Sequence, residues 1–363
     1  MSLTLSPSQR RDWLRLARTG GVGPVLFAEL LARYGEPGRA LAALPQLAER
    51  AGRAAEIPSL AAIEAELAAG AALGAQLICS GEAAFPRALA ALDPAPPVLW
   101  TRGDLALLNR PLVALVGARV ASAAGQRFAR GLAADLGAAG YGVVSGMARG
   151  IDGAAHEGAL ETGTVAVLGG GIDDIYPHEH RELYAQILDK GCVVAEQPPG
   201  RKAQARDFPR RNRIIAGLAR AVVVVEAELR SGSLITARLA GEMGRDVLAV
   251  PGSPLDPRAR GANDLIRQGA ALCEGVDDVL RALETFGGFA APEPAPFSHA
   301  ASEDAADSRL VKRLAELLSP TPVSRDELIR ATRAPPGEVA AALMELALAG
   351  QAELLPGGLA ARA

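Results

Sequence analysis

The sequence lacks several features that would assign it to a particular class of protein. It has only three cysteines, Cys79, Cys192 and Cys273, which lie far apart inside apolar runs. This spacing fits neither a disulfide framework nor a zinc site, and it predicts three small core residues in a reducing compartment. No apolar run is long enough to span a membrane, and the N-terminal MSLTLSPSQRRDW lacks the apolar core of a signal peptide. We therefore expect a cytoplasmic protein.

The overall charge does not indicate nucleic-acid binding, but one segment carries a strong local charge. The formal net charge is −3, so there is no global basic field. Between residues 201 and 213, by contrast, basic residues greatly outnumber the single acidic residue, Asp207. A local cluster of this kind is typical of phosphate binding. The basic residues are Arg201, Lys202, Arg206, Arg210, Arg211 and Arg213.

Residues 111–285 alternate short apolar runs with amphipathic segments. This alternation predicts βαβ units and an α/β fold with a Rossmann-like, doubly wound, mainly parallel sheet. Aromatic residues make up only 4 % of the chain, and this scarcity also favours helix–sheet layers over a β-sandwich. The predicted strands are Gln76–Cys79, Leu112–Val116, Gly142–Ser145, Val165–Leu168, Cys192–Ala195, Ala221–Val225, Val247–Val250 and Ala271–Cys273. The predicted helices between them include Ala124–Gly137, Gly153–Glu161, Arg181–Asp189, Ile214–Leu218 and Leu234–Met243.

The flanking segments predict three further parts. Residues 1–74 show helical spacing, and LARTGGVGPVLFAELLARYG is typical of a helix-hairpin-helix, whose glycine-rich turn lets backbone amides approach a DNA phosphate. Residues 286–307 are rich in Ala, Pro and acidic residues and predict a flexible linker after a core domain over 75–285. Residues 308–363 predict three helices and a hairpin around Gly357, a winged-helix pattern. Its charges are nearly balanced, which argues against strong DNA binding there.

The carboxyl ends of the predicted strands share one composition. Most are followed by Gly, Ser or Arg, as in Ser145-Gly146-Met147-Ala148-Arg149-Gly150, and ligands of parallel sheets bind at these ends. The turn Ser231-Gly232-Ser233 stands between a buried strand and a helix, where free backbone N–H groups favour an anion. With arginines before that strand and this turn after it, the predicted ligand is a chain of phosphates.

Six blocks of the sequence resemble, in the same order, the DNA-processing protein A family (DprA, also called Smf). They are VALVGARVAS, VVSGMARGIDGAAHEGAL, TVAVLGGGIDDIYPHEHRELY, FPRRNRIIAGLA, VVVVEAELRSGSLITARLAGEMGRDVLAVPG and GANDLIRQGA. The resemblance implies a Rossmann-like core that binds single-stranded DNA, a homodimer, and transfer of the strand to the recombinase RecA during natural transformation. It implies a protein that is not an enzyme in this role. The sequence departs from the family at His180, where Asn is usual, and at Ala118, where Ser is usual.

Single-strand binders combine a basic groove with aromatic surfaces for bases. Phe208 is the candidate stacking residue, and core packing is the alternative for it. The candidate cations are Arg119, Arg149, Lys202, Arg211 and Arg213. For Arg211 and Arg213 the alternative is an ion pair with Glu196 or Glu226. Asn212 is expected to fix its loop through backbone hydrogen bonds. The candidate backbone or hydroxyl donors to phosphate are Gly117, Ser145, Gly146, Gly150, Ser231, Gly232 and Ser233.

Two enzyme classes compete with this interpretation. Nucleotide phosphoribohydrolases that resemble the "Lonely guy" proteins carry P-G-G-x-G-T-x-x-E, but the turn at Ser231 has no Glu at the expected spacing. A dinucleotide-dependent dehydrogenase is rejected, because VALVGARVASAAG has no G-x-G-x-x-G and no acidic residue follows the strand ending at Ser145. We expect no cofactor.

Two polar groups could suggest catalysis or a metal. Asp152 and His156 lie one helical turn apart, and the simpler interpretation is that Asp152 caps a helix on which His156 packs. The sequence His178-Glu179-His180 has no further ligands near it, so we expect neither a metal site nor a catalytic pair.

Overall fold

The computed structural model describes residues 4–50, 52, 54–285 and 307–363. All but the last residue of the predicted linker over 286–307 therefore falls outside the described residues, and the predicted domain boundaries stay predictions. Within these ranges, every helix is too short or too polar to span a membrane.

The centre of the fold is a nine-stranded sheet with the order β1-β2-β6-β5-β4-β3-β7-β8-β9. Pairing is antiparallel at β1–β2 and β2–β6 and parallel at every other step, which confirms a mainly parallel α/β sheet. The strands are β1 (Gln76–Cys79), β2 (Val98–Gly103), β3 (Leu112–Gly117), β4 (Gly142–Ser145), β5 (Thr164–Leu168), β6 (Cys192–Ala195), β7 (Ala219–Val225), β8 (Asp246–Ala249) and β9 (Ala271–Leu272).

Helices cover both faces of this sheet, which explains why its strands are apolar without alternation. Leu112 and Ala114 of β3 belong to the core cluster that includes α9 and α10, whereas Val113 and Leu115 belong to the cluster that includes α6, α7 and α12. The helices of this region are α5 (Arg87–Ala90), α6 (Ala123–Ala138), α7 (Ile151–Ala159), α8 (Arg181–Lys190), α9 (Asp207–Leu218), α10 (Gly232–Glu242), α11 (Arg260–Arg267) and α12 (Val276–Thr285).

Two elements differ from the prediction. The strand β2 was missed because its first residues follow prolines, but pairing with both β1 and β6 makes it part of the sheet. The helix α9 begins at Asp207 instead of Ile214. Its start is stabilised by the Asp207 carboxylate, which accepts the backbone N–H of Gln204 at 2.8 Å. Phe208, Arg211 and Asn212 are therefore helical and not part of a loop.

All three cysteines are buried and free, as expected of core residues. Burial raises the pKa of each thiol to about 12.

The N-terminal part is a four-helix module attached to the sheet domain. Trp13 packs on Phe27 with ring centroids 5.4 Å apart, and its indole N–H donates to the carbonyl of Pro97 at 2.8 Å. The turn between the first two helices contains Gly21 with φ +80°, a conformation that favours glycine. The helices are α1 (Pro7–Ala17), α2 (Pro24–Tyr34), α3 (Pro37–Arg50) and α4 (Leu60–Ala72).

The C-terminal part has the predicted three helices and hairpin. Its elements are α13 (Ser308–Leu317), β10 (Val323–Ser324), α14 (Arg325–Thr332), α15 (Pro336–Leu348), β11 (Ala352–Leu355) and β12 (Leu359–Arg362). The three strands form a separate sheet with the order β10-β12-β11, as in a winged helix.

The third helix of this winged-helix part is covered on two sides. Leu343 and Leu346 of α15 belong to its own core, whereas Met344 belongs to the core of the N-terminal helices. Two ion pairs flank that contact, Arg325 with Glu29 at 2.6 Å and Arg50 with Glu345 at 3.6 Å. The winged-helix part thus packs on the N-terminal module through α15.

The contact makes stability depend on pH through Glu345. Burial raises the pKa of this carboxyl above 4.5, while Arg50 and Arg33 lower it. Below pH 4.5 Glu345 is protonated and contributes fully to the unfolding free energy. This contribution is lost as the pH rises through the higher pKa that Glu345 has in the folded state. Because glutamine stays neutral, we expect the unfolding free energy of Glu345→Gln, relative to the original chain, to rise between pH 4 and 7 in urea titrations. The exposed Glu353→Gln is the control, and a difference that does not vary with pH would contradict the assignment.

Candidate functional site

A cavity of about 580 Å³ lies at the carboxyl ends of β3 and β7. Its walls are the loop after β3, the first turns of α9 and the turn that begins α10. This is the edge at which parallel sheets bind ligands. The predicted site residues that line it are Gly117, Arg119, Phe208, Arg211, Asn212, Ser231, Gly232 and Ser233.

Arg211 places a buried positive charge in the wall of this cavity. Its side chain is 6 % exposed, and its Nη1 donates to the carbonyl oxygens of Gly146 and Val167. Burial lowers the pKa of the guanidinium to about 10, although the nearby Asp152 carboxylate raises it. The described residues give Arg211 no ion pair, so the alternative predicted for it, a pair with Glu196 or Glu226, is wrong.

The loop from Gly146 to Gly150 is shaped around that guanidinium. A Cβ at Gly146 would lie 2.6 Å from the Arg211 nitrogens, so only glycine leaves room for them. The Asp152 carboxylate accepts the backbone N–H groups of Gly146 and Ala148 at 3.1 and 3.2 Å. Asp152 is therefore not the helix cap, because Gly150 is the N-cap of α7 and Asp152 lies in its first turn. Burial raises the pKa of this carboxyl.

Phe208 lies half-buried at the mouth of the cavity among three side chains. The guanidinium carbons of Arg119 and Arg211 lie 5.3 and 6.0 Å from its ring centroid. The ring of Tyr176 lies 5.9 Å away, and Tyr176 is itself exposed. Tyr176 was not among the predicted site residues, since its only local signal was an aromatic residue in a loop after β5. Phe208 belongs to none of the core clusters, so a stacking role stays a prediction.

The start of α10 faces the same cavity. Ser231 is its N-cap and accepts the backbone N–H of Ser233 at 3.4 Å, and Gly232 is exposed. Asn212 donates from Nδ2 to the carbonyl of Gly232 at 3.2 Å. The predicted backbone hydrogen bond is therefore present, but it is made from helix α9 to the turn before α10 and not within a loop of its own. The exposed Arg230 also lines the cavity and was missed, although its position beside the predicted turn was a usable signal. A helix N-terminus next to arginines attracts an anion.

The N-terminus of α6 lies at the same edge of the sheet, but a carboxylate of the protein already occupies it. The carboxylate of Glu226 accepts both the backbone N–H of Ser122 at 2.8 Å and the Ser122 hydroxyl at the N-terminus of α6. In dinucleotide-binding folds this first strand–helix turn receives the pyrophosphate. Here it already holds a carboxylate, which supports rejecting a dinucleotide and directs an anion to α10.

The other predicted residues do not line the cavity. Ser145 is buried and donates to the carbonyl of Leu115 at 2.6 Å, while Gly146 and Gly150 belong to the loop beside Arg211. Arg213 forms the predicted ion pair with Glu196, which confirms that alternative. The exposed Arg149 and Lys202 pair with Glu179 and, at 3.2 Å, with Asp174. A contact of any of these residues with DNA stays a prediction.

His156 is buried and has a hydrogen-bond partner inside the protein. Its Nδ1 lies 2.7 Å from the Thr164 hydroxyl. Burial, with smaller effects of His180 and Arg211, lowers the pKa of this imidazole to about 3. In the part of the chain that the structure describes, no group of three or more His, Cys, Asp or Glu side chains is placed to hold a metal ion.

A second, larger cavity of about 810 Å³ lies between α10, α11 and the strands β8 and β9. None of the predicted site residues lines it. We therefore assign the candidate site to the smaller cavity, where the predicted groups meet.

Substitution of Gly117 tests how closely the residues of the site are packed. A Cβ there would lie 1.8 Å from the carbonyl oxygen of Val225, so Gly117→Ala is expected to reduce the unfolding free energy by about 1–3 kcal/mol. Gly131 in α6 has nothing within 4 Å of the same atom, and Gly131→Ala is expected to add about 0.5–1 kcal/mol. Chemical denaturation of both variants checks this, and equal stability of the two would contradict the packing.

Comparisons with known proteins agree on one family. A family model described as DNA recombination-mediator protein A matches residues 76–284. Models described as the DprA-like N-terminal HHH domain and the DprA winged helix domain match residues 7–69 and 294–358. The first of these confirms the predicted helix-hairpin-helix.

Individual relatives show the same likeness. The chain is 41 % identical over 282 residues to Protein Smf of Escherichia coli K12, which covers 76 % of this chain and 74 % of that protein. The X-ray structure of DNA processing protein A from Streptococcus pneumoniae superposes with a TM-score of 0.64 at 32 % identity, over 77 % of this chain and 98 % of that one. DNA processing protein A from Helicobacter pylori, whose structure was described for its single-stranded-DNA binding mode, gives a TM-score of 0.53 at 27 % identity, over 58 % and 96 %.

Proposed function

The chain belongs to the DNA recombination-mediator protein A family, and on that premise we propose that it binds single-stranded DNA in the cavity beside β3 and β7. The observation that carries this proposal is Arg211, a buried cation in the wall of a cavity that forms no salt bridge among the described residues and has only the buried Asp152 carboxyl nearby. An anion bound there would offset the cost of burying the charge.

The surrounding groups suit a phosphate. Arg119 and Arg230 are exposed at the rim beside Glu228, and the start of α10 adds the exposed backbone of Gly232 and the hydroxyls of Ser231 and Ser233. Phosphate contacts of this kind give affinity without sequence preference.

The aromatic residues favour a single strand over a duplex. A base must be unstacked to lie on the rings of Phe208 or Tyr176, and in a duplex those faces are covered by neighbouring base pairs. Stacking on an aromatic side chain contributes about 1–3 kcal/mol per base in proteins that bind single strands. In this structure the guanidinium of Arg119 lies over the ring of Phe208. A base that binds there must either displace this guanidinium or stack beside it.

We also propose a more specific role, which rests on membership of this family. The protein acts without catalysis as a homodimer that protects incoming single-stranded DNA and loads RecA on it during natural transformation. The closed start of α6 and the structural roles of Asp152 and His156 favour binding over chemistry. The size of the cavity, within the range of small-ligand pockets, keeps a nucleotide phosphoribohydrolase as the second candidate.

The exposed arginines give the cleanest test, because Arg211 also holds two backbone carbonyls. We expect Arg119→Ala and Arg230→Ala each to weaken single-strand binding for all sequences, and to lower the salt slope by about 0.7 for each phosphate that the arginine neutralises. Fluorescence anisotropy of single- and double-stranded oligonucleotides across a salt titration measures both. Arg220→Ala, exposed at the amino end of β7, is the matched control. If the original chain binds no single strand, the proposal fails, and release of ribose phosphate from nucleotides is assayed next.

The recombinase role has its own test. We expect a mass of twice 37.3 kDa by light scattering, and faster RecA ATP hydrolysis on single strands coated with a single-strand-binding protein. Arg119→Ala is expected to lose that acceleration. A monomer, or no effect on RecA by a chain that binds DNA, would refute this part while leaving the binding site intact.

A further inference from the structure

Among the described residues, the three most exposed large apolar side chains lie along one edge of the sheet. Leu255 is 89 % exposed, Val120 83 % and Leu229 59 %. They lie on the loops after β8, β3 and β7, which are adjacent strands in the order β3-β7-β8. With strands about 4.8 Å apart, the three loops leave the sheet within about 10 Å.

Single exposed apolar residues are ordinary on protein surfaces. These three are different because they share the edge that carries the cavity with Arg119, Arg211 and Arg230. Val120 lines that cavity, and Leu229 lines the neighbouring cavity between α10 and α11. Tyr176 lies on the loop after β5, on the other side of β3. The strands from β5 to β8 span about 19 Å, so the apolar residues extend the aromatic site across the sheet edge.

Two of the three are next to a cavity arginine in the chain, as Arg119-Val120 and Leu229-Arg230. Such a pair presents a cation and an apolar side chain from one loop. A nucleotide presents the matching pair, a phosphate and the apolar face of a base. Charge complementarity and continuity with the cavity thus identify one occupant, the bases of an unpaired strand.

We propose that Val120, Leu229 and Leu255 form an apolar row that contacts the faces of unpaired bases beside the Phe208 cavity. The proposal rests on the proposed function and deepens it, because the row selects single strands. In a duplex the base faces are covered by stacking, so the row gains nothing there. The arginines contribute affinity that depends on salt, and the row contributes affinity that does not.

The test uses Val120→Ser, Leu255→Ser and the double variant, all at exposed positions. Partial burial of one such side chain on binding is expected to be worth roughly three- to tenfold in affinity. We expect each variant to lose about that factor for single strands, with an unchanged salt slope and unchanged duplex binding. Leu60→Ser in α4, also an exposed leucine, is the control. Fluorescence anisotropy measures the four variants beside the original chain.

An abasic single strand completes the design, since it keeps the phosphates and lacks the bases. The original chain and the double variant are expected to bind it equally. An unchanged affinity of the double variant for normal single strands would overturn the row, as would an equal loss on abasic DNA or a lower salt slope. Failure of the proposed function is distinguishable, because the original chain would then bind no single strand at all.

Discussion

The carboxyl edge of the sheet depends on one interaction, the burial of the Arg211 guanidinium against the carbonyl oxygens of Gly146 and Val167. Burying a cation that forms no salt bridge costs free energy, and hydrogen bonds to carbonyl oxygens and the nearby Asp152 carboxylate offset part of that cost. The interaction requires glycine at 146, and it requires α9 to begin early enough to carry Arg211 inward. These conditions leave a positive charge at a cavity wall, where an anion stabilises it further.

The two helix starts at this edge differ in whether their N-terminus is already occupied by a carboxylate. At α6 the Glu226 carboxylate already occupies the N-terminus, and at α10 the exposed Gly232 leaves it open beside Arg230. The usual dinucleotide position is thus occupied by the protein itself, and the neighbouring helix start is the one that the proposed phosphate would use. The difference is a single internal carboxylate, held by hydrogen bonds to the backbone and hydroxyl of Ser122.

The winged helix takes no part in this site. Its third helix packs on the N-terminal module through Met344, with Glu345 facing Arg50. The same packing brings Leu348 beside a cavity at the glycine-rich turn of the helix-hairpin-helix, which includes Gly20 and Gly21. Gly20, Gly21 and Gly23 of this turn nevertheless remain exposed.

Local pattern was enough to predict the sheet and the turn at which the candidate site begins. Runs such as Ala221–Val225 form buried strands because β-branched residues favour extended backbone, and the turn at Ser231 offers N–H groups because its neighbours are small. The same sequence could not show which distant residues meet. Tyr176 reaches Phe208, Glu226 reaches Ser122, and Arg211 reaches Gly146 only when the strands pair. Burial, closed helix starts and interdomain packing were therefore decided by tertiary structure, because they depend on contacts between residues far apart in the chain.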